Sequence, residues 1–303
     1  MLPPVVAGVD GTVESLSAAA WAAREALRRD RPLLLVYAVG RPPRRQEEPP
    51  GNAAQPHPAR RVLSQAAEHL RRTYPGLRLC EEEVEGPAPA VLLQAAEQAE
   101  LLVVGSHGLS GLSGAPVGSV AYAVVADTKG PVILVRAGQE AEDEHLPADD
   151  HSASTHTGYR DVVLGVDVAD PCEKGIEFAF DAARLRRARL KAVYAWHAPS
   201  PVGLGNGDIG LVSDAQRADE WLGFLSAVLR PWCDKYPDVE VVQSVVADKA
   251  SAALVRAAAS ASLLVLGRHP TGRDTGARTG PVTDALIRYI GCPLAVVPHA
   301  DTG

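Results

Sequence analysis

The fold of this chain is decided by Leu101-Leu102-Val103-Val104-Gly105-Ser106-His107-Gly108, which is followed after nine residues by Gly118-Ser119. Residues 101–104 form an apolar run that predicts a buried strand, and residues 120–126 have the pattern of a helix. A glycine-rich turn that leaves a strand and enters a helix presents backbone N–H groups to which a phosphate can bind. Glycine permits both positive φ and a close approach to that phosphate. The stretch therefore predicts a phosphate-binding turn between a strand and a helix.

Length and composition exclude several classes of protein. A chain of 303 residues predicts two domains of about 150 residues each. No apolar run approaches the ~20 residues that a membrane span requires, so we expect no membrane association. The net charge of −7 argues against a nucleic acid partner. The four cysteines are scattered without a C-x-x-C pair, and the chain begins without a basic leader. These features indicate a reducing compartment, and we expect a cytoplasmic protein.

The two halves of the chain repeat each other. Asp10 and Asp167 are 157 residues apart and both end a Gly-x-Asp segment, whereas Gly105 and Gly267 are 162 residues apart. The recurring apolar segments are 5–10 with 162–167, 33–38 with 190–195, 101–104 with 263–266, and 131–135 with 293–297. Because the register holds within each group of segments, the halves are tandem copies.

The order of the segments predicts the fold class. Strands that alternate with helices of ten or more residues pair in parallel through right-handed crossovers. We therefore expect α/β architecture, with two tandem doubly wound domains that each contain a mainly parallel five-stranded sheet flanked by helices. The domains are expected at residues 1–137 and 159–300. Residues 138–158 are acidic and poor in large apolar side chains, which predicts a flexible linker.

The glycine spacing resembles a known motif. It fits neither the Walker pattern nor the dinucleotide fingerprint, but it is similar to the ATP-binding G-x2-G-x9-G-[ST] motif of the universal stress protein family. The Gly-Val-Asp strand end and the Pro-Val closing strand extend the resemblance over nearly the whole chain. Its tandem form resembles the two-domain stress proteins of actinobacteria. The resemblance implies a Rossmann-like fold of the adenine nucleotide alpha-hydrolase type.

The resemblance also implies a nucleotide site in the first half. Asp10 would contact the ribose or its metal, Ala38 would meet adenine through its backbone, and the glycine loop would wrap the phosphates. The implied nucleotide-binding residues are Gly8, Val9, Asp10, Ala38, Val104, Gly105, Gly108, Gly118, Ser119 and Val120. Position 121, where the family often has a hydroxyl, is alanine.

The residues themselves agree with this site. Ligands of open parallel sheets bind at the carboxyl ends of strands near the topological switch point, where Asp10 and the glycine loop would meet. A carboxylate is a hard oxygen ligand that suits Mg²⁺ held jointly with phosphates, so ATP and Mg are the expected cofactors. The alternatives are a ligand-free glycine connector and, for Asp10, a turn or N-cap residue.

The second copy departs from the motif. It reads Gly267-Arg268-His269-Pro270 and, after nine residues, Gly280-Pro281, so two positions that would offer N–H groups are proline. Arg268, Arg273 and Arg278 can hold an anion by charge-assisted hydrogen bonds. We expect a weak or altered second site formed by Gly165, Asp167, Ala195, Gly267, Arg268, Gly280 and Thr283.

These features favour a binding protein over an enzyme. The first site offers no P-loop lysine and no arginine finger, and His107 is either the group that titrates near neutrality or a solvent-facing loop residue. The leading hypothesis is an ATP-binding stress or signalling protein whose nucleotide occupancy changes which unknown proteins it binds. A slow ATPase or nucleotidyl transferase and a nucleotide-free scaffold are the alternatives.

Two further expectations concern assembly and metal. The closing strands at residues 132–135 and 294–297 are expected to pair within one chain, which would make a pseudo-dimer, and whole chains are expected to be able to form a homodimer. The linker histidines His145, His151 and His156 are interpreted as solvated residues rather than metal ligands.

Overall fold

A computed structural model describes residues 2–40, 58–107, 118–196, 214–269 and 279–299. The chain divides into two compact units, Met1–Glu140 and Ala141–Gly303. Gly108 and the rest of the first glycine loop lie outside the described residues, as do Pro270, Arg273 and Arg278 of the second. In the described part of the chain, no helix has both the length and the apolar character needed to cross a bilayer.

The first unit is a five-stranded parallel sheet with the strand order β3-β2-β1-β4-β5. The chain moves outward from β1 to β3 and then returns to the other side of β1, so the topological switch point lies between β1 and β4. This confirms the predicted doubly wound class. The elements are β1 (Val5–Gly8), α1 (Val13–Arg28), β2 (Leu33–Val39), α2 (Pro58–Thr73), β3 (Leu79–Glu85), α3 (Ala88–Ala96), β4 (Leu101–Ser106), α4 (Ser119–Asp127) and β5 (Val132–Arg136).

The second unit repeats this topology with the strand order β8-β7-β6-β9-β10, again all parallel. Its switch point lies between β6 and β9. The elements are β6 (Val162–Gly165), α5 (Glu173–Arg186), β7 (Leu190–Trp196), α6 (Asp214–Lys235), β8 (Val241–Ala247), α7 (Ala250–Ala257), β9 (Leu263–Arg268), α8 (Pro281–Tyr289) and β10 (Leu294–Pro298).

The central strands of each unit are buried on both faces. Val5, Val6 and Leu102 have no exposed surface, and neither do Val162 and Leu263. Such near-continuous apolar strands are typical of parallel sheets that are covered by helices on both sides. Burial of these side chains fixes the strand register, and the register in turn places the carboxyl ends of the strands.

The segment predicted as a flexible linker is hydrogen-bonded in the structure. A 3-10 turn at Glu142–Glu144 is followed by an antiparallel bridge between His145 and Tyr159. The Leu146 N–H donates to the Gly158 carbonyl at 2.8 Å, and the two rings of the bridge lie 4.0 Å apart. This differs from the expectation for residues 138–158 because backbone hydrogen bonds, rather than a large apolar core, order the segment.

Candidate functional site

The carboxyl end of β4 lies directly against the start of α1. A Cβ atom built on Gly105 would be 2.6 Å from the Glu14 carbonyl carbon and 2.7 Å from the Ser15 nitrogen. The Asp10 N–H donates to Ser15 Oγ at 3.3 Å, which ties the end of β1 to the same turn of helix. The switch point between β1 and β4 therefore brings Asp10, Gly105 and the α1 N-terminus together. Glycine at 105 is required by this packing, whether or not a ligand approaches.

Asp10 forms a compact turn with the residues that begin α1. Its Oδ1 accepts hydrogen bonds from the Thr12 N–H at 2.9 Å and from the Thr12 hydroxyl at 2.6 Å. Burial acts to raise the pKa of Asp10, but hydrogen bonds from Thr12 and Ser15 outweigh it and hold the pKa below its ordinary value. The side chain is exposed and ionised at neutral pH. Asp10 is thus a turn residue and also a charged group at the sheet edge.

His107 is held by an acidic residue that the sequence reasoning did not single out. Its Nδ1 lies 2.8 Å from Glu14 Oε1, and the histidine side chain is 56% exposed. Glu14 stands in the first turn of α1, and nothing in the linear pattern connects it to a loop residue about ninety positions later. Only the approach of β4 to α1 explains the pair.

Gly118 precedes the first residue of α4, and the described residues leave space for a side chain there. A Cβ atom there would meet His107 Cδ2 at 3.6 Å, which is ordinary van der Waals contact among the described residues. Ser119 is exposed at the helix start, whereas Ala121 is buried. The N-terminus of α4 therefore reaches the group formed by Asp10, Gly105 and His107.

The remaining predicted residues of the first unit lie close to this group. Gly8 ends β1 and pairs with Val36 of β2, two residues before Ala38. A Cβ on Gly8 would lie 2.9 Å from Leu92 Cδ2, so this glycine also serves packing. Val9 is buried on the β1 side, and its N–H donates to Val36 O. Val104 belongs to β4 and Val120 to the first turn of α4.

A cavity of about 390 Å³ opens at the equivalent position of the second unit. This volume is within the range of small-molecule sites. All seven residues predicted for the second site line it, together with Asp170, Cys172, Tyr194, His269, Thr279 and His299. The predicted residues are Gly165, Asp167, Ala195, Gly267, Arg268, Gly280 and Thr283.

The floor of this cavity is built around Cys172. The Gly175 N–H donates to Cys172 Sγ at 3.3 Å, so the thiol caps α5 where Thr12 caps α1. A Cβ on Gly267 would lie only 2.4 Å from Cys172 Cβ. Burial raises the pKa of the Cys172 thiol, which keeps it protonated at neutral pH. Cys172 is a structural cap rather than a nucleophile.

The loop side of the cavity differs from the first unit in its backbone. Gly280 has φ of +83°, a conformation that favours glycine, and Pro281 occupies the first turn of α8 without an N–H. Thr283 is buried in the same turn. Asp167 Oδ1 accepts from the Ala169 N–H at 3.0 Å, a turn like that of Asp10.

Tyr194 and His299 also line the cavity, and motif reasoning missed both. Burial and the nearby carboxylate of Asp167 raise the pKa of Tyr194. Burial and the neighbouring His269 lower the pKa of His299. Tyr194 could have been found from its position beside Ala195. His299 stands just after the last strand, where no sequence pattern marks it.

The fold is that of a doubly wound α/β protein in each unit, and the strand ends of the second unit open into a cavity of ligand size. The chain belongs to the universal stress protein family, whose family model matches residues 1–136 and 158–298. This confirms the resemblance drawn from the glycine spacing.

Members of this family are similar to the chain over nearly its whole length. A universal stress protein of Mycobacterium tuberculosis is 30% identical over 301 residues, which cover 96% of each chain. A solved universal stress protein from Archaeoglobus fulgidus covers 98% of each chain with a TM-score of 0.62 and 13% identity, and so shares the fold. A universal stress protein solved in complex with cAMP covers 45% of this chain at 27% identity, and its TM-score of 0.36 is too low to inform the site.

Proposed function

We propose that this chain is an ATP-binding universal stress protein that acts as a nucleotide-dependent regulator of stress response or signalling rather than as a fast catalyst. One observation carries the proposal: the cavity of the second unit is lined by all seven residues that the sequence predicts for a nucleotide site there. The motif positions therefore surround a space of ligand size. The first unit carries the same topology and keeps the glycine and serine that the second has lost.

The phosphates of ATP would lie at the start of α4 in the first unit. Ser119 is exposed, a Cβ on Gly118 would contact only His107 among the described residues, and the positive end of the α4 dipole favours the charge of the phosphates. Adenine would lie at the end of β2, where the partly exposed Ala38 offers backbone groups. Gly8 and Val9 would form the floor between these two ends.

The residues present fit Mg²⁺ delivered with the nucleotide. Asp10 is an exposed carboxylate whose pKa is held low, so it keeps its charge at neutral pH. A carboxylate shared with phosphate oxygens is the usual protein contribution to Mg²⁺ binding. The ion would neutralise phosphate charge, and Asp10 would position it.

The second unit should hold ATP less tightly or in another way. Pro281 offers neither an N–H nor a hydroxyl at the start of α8, where Ser119 offers both at the start of α4. Pro270 likewise replaces Gly108 in the sequence, while the buried Arg268 attracts an anion. We therefore expect the first unit to dominate ATP retention.

Mass spectrometry of nucleotide released from the gently denatured, purified chain tests the proposal. ATP in amounts close to a single nucleotide per chain is the expected result. ADP or AMP that accumulates over time in a mixture with ATP and Mg²⁺ would instead favour the slow ATPase or nucleotidyl transferase. No binding at saturating ATP and Mg²⁺ would overturn the proposal in favour of a scaffold.

The regulatory part of the proposal has its own test. A pull-down with and without ATP should recover protein partners whose binding depends on the nucleotide. The pseudo-dimer within one chain and the homodimer of whole chains stay predictions, as does a cytoplasmic location. Identical partners under both conditions would contradict a nucleotide-dependent regulator.

A further inference from the structure

Three metal-binding side chains meet on the wall of the second-unit cavity. The ligand atoms of Asp170, His269 and His299 all lie within 4.8 Å of one another. His269 Nδ1 is 3.3 Å from Asp170 Oδ2, and the two histidine rings are 3.5 Å apart between centroids. The three residues come from separate places in the chain: the β6–α5 connection, the end of β9 and the end of β10. Their convergence is a product of the fold.

The donor set selects a class of cation. Two imidazoles and a carboxylate are the ligands that zinc and similar divalent transition metals prefer, whereas Mg²⁺ and Ca²⁺ prefer oxygen alone. Two ligand atoms on one zinc ion lie about 3.4 Å apart when each bond is about 2.1 Å long. Asp170 and His269 already have this separation, and the ligand atom of His299 lies within 4.8 Å of both.

The cluster is particular to the second unit. The β1–α1 connection comprises residues 9–12, but the β6–α5 connection comprises residues 166–172 and includes Asp170. His269 corresponds to His107 of the first unit, which pairs instead with Glu14. The position of His299 is occupied by Ala137 in the first unit. An aspartate at position 170, which corresponds to Val13 of the first copy, and one histidine thus distinguish a potential metal site from a simple ion pair.

We propose that Asp170, His269 and His299 bind one zinc-class divalent cation on the wall of the second-unit cavity. Three protein ligands leave a tetrahedral ion with an open position for water or for an anionic ligand in the cavity. The cation would also supply positive charge where Asp167 and Asp170 otherwise repel anions. The proposal stands without any nucleotide and is separate from the proposed ATP site of the first unit.

A zinc titration of the full chain tests this proposal. The protein is freed of any affinity tag, treated with a chelator, and titrated with zinc chloride in the absence of nucleotide, with a chromogenic zinc indicator as competitor. We expect saturable binding of a single ion. Loss of a group that only supports a metal ligand costs about 10–100-fold in affinity, so Asp170→Asn, His269→Gln and His299→Gln should each weaken binding at least that much.

Two matched controls locate the ion. His107→Gln removes the corresponding histidine of the first unit, and the double variant His151→Gln/His156→Gln removes two exposed linker histidines. Both should bind zinc like the parent. Because Asp170 and His269 are exposed, their variants should fold, and circular dichroism checks the half-buried His299 variant.

Cobalt binding supplies a second measurement, which would not change if His269 and His299 had only a structural role. Co²⁺ in a site with nitrogen ligands and low coordination number has visible absorption bands, and these bands should disappear in His269→Gln and His299→Gln. The proposal is overturned if zinc does not bind saturably, if the three cluster variants bind it like the parent, or if a control variant loses it. Because the zinc titration uses no nucleotide, its result can be interpreted even if the chain does not bind ATP.

Discussion

Glu14 Oε1 and His107 Nδ1 lie 2.8 Å apart and join the first turn of α1 to the residue that follows β4. In the second unit, Asp170 and His269 repeat this relationship at 3.3 Å. The acid comes from the first turn of α1 in one copy and from the β6–α5 connection in the other. Both units thus place a carboxylate beside the loop histidine, although the two carboxylates are not equivalent in sequence.

The exposure of His107 limits what this pair contributes to stability. A double-mutant cycle with Glu14→Gln and His107→Gln should give a coupling free energy of at most about 1 kcal/mol, since solvent screens the pair. Urea unfolding followed by tryptophan fluorescence measures it. A coupling well above this limit would contradict the expectation.

Gly118→Val should abolish ATP retention and leave the fold intact. Among the described residues, the new side chain meets His107 only at ordinary contact distance, so it extends into the space proposed for phosphate. Calorimetric titration with ATP and Mg²⁺ measures the loss. Gly223→Val is the matched control, because no atom of the described residues lies within 4 Å of a Cβ there and it is exposed on α6. Normal ATP binding by folded Gly118→Val would refute the assignment of the first site.

Gly105→Ala should destabilise the first unit. Its Cβ would lie 2.6 Å from backbone atoms of α1, which cannot rotate away as a side chain can. Overpacking of this kind costs about 1–3 kcal/mol. Chemical denaturation measures the change in free energy of unfolding, with Gly118→Ala as the control that creates no clash. If the two variants are equally stable, α1 moves away from the new Cβ at little cost in free energy, and the prediction is wrong.

The Asp10 carboxylate should stabilise the fold in a pH-dependent manner. Its pKa is lowered in the native state, so its contribution is complete above the ordinary carboxyl pKa of about 4 and is lost as the pH falls through the lowered value. The difference in unfolding free energy between the parent and Asp10→Asn should therefore shrink upon acidification. Unfolding curves at several pH values test this. If the difference in unfolding free energy grows at acidic pH, the prediction is wrong.

The segment from Glu142 to Arg160 should show protection from amide hydrogen exchange. The N–H groups of Leu146 and Arg160 donate to backbone carbonyls at 2.8 and 2.9 Å, and the Thr157 hydroxyl donates to the Leu146 carbonyl. Thr157→Val should accelerate exchange of this segment but not of the buried strands. If the amides of this segment in the parent protein exchange as fast as those of an unstructured peptide, the segment is a flexible linker after all.

Much of the fold could be predicted from the sequence. The apolar run at residues 101–104 became β4 at Leu101–Ser106, and the predicted helix at 120–126 became α4 at Ser119–Asp127. Apolar runs of this kind report burial directly, and the duplicated register confirmed the pattern in two copies. Comparison of the two halves of the sequence also predicted seven residues that line one cavity.

The remaining features depend on contacts between distant parts of the chain. Asp170 lies in the β6–α5 connection and His299 beyond the last strand, and only the crossovers of the sheet bring them together. The order in residues 141–160 arises from individual hydrogen bonds, whereas composition reports only the lack of apolar side chains. The close packing of Gly105 against the backbone of α1 is likewise invisible in the glycine spacing.

The packing of Gly105 has a counterpart in Gly267, where a Cβ would collide with Cys172. Folding alone therefore demands a glycine near the end of the fourth strand of each copy, whether or not that copy holds a nucleotide. The first glycine of the motif has little diagnostic value for ligand binding in related sequences. The positions of Gly108 and Ser119, which are proline in the second copy, discriminate better between copies that bind and copies that only fold.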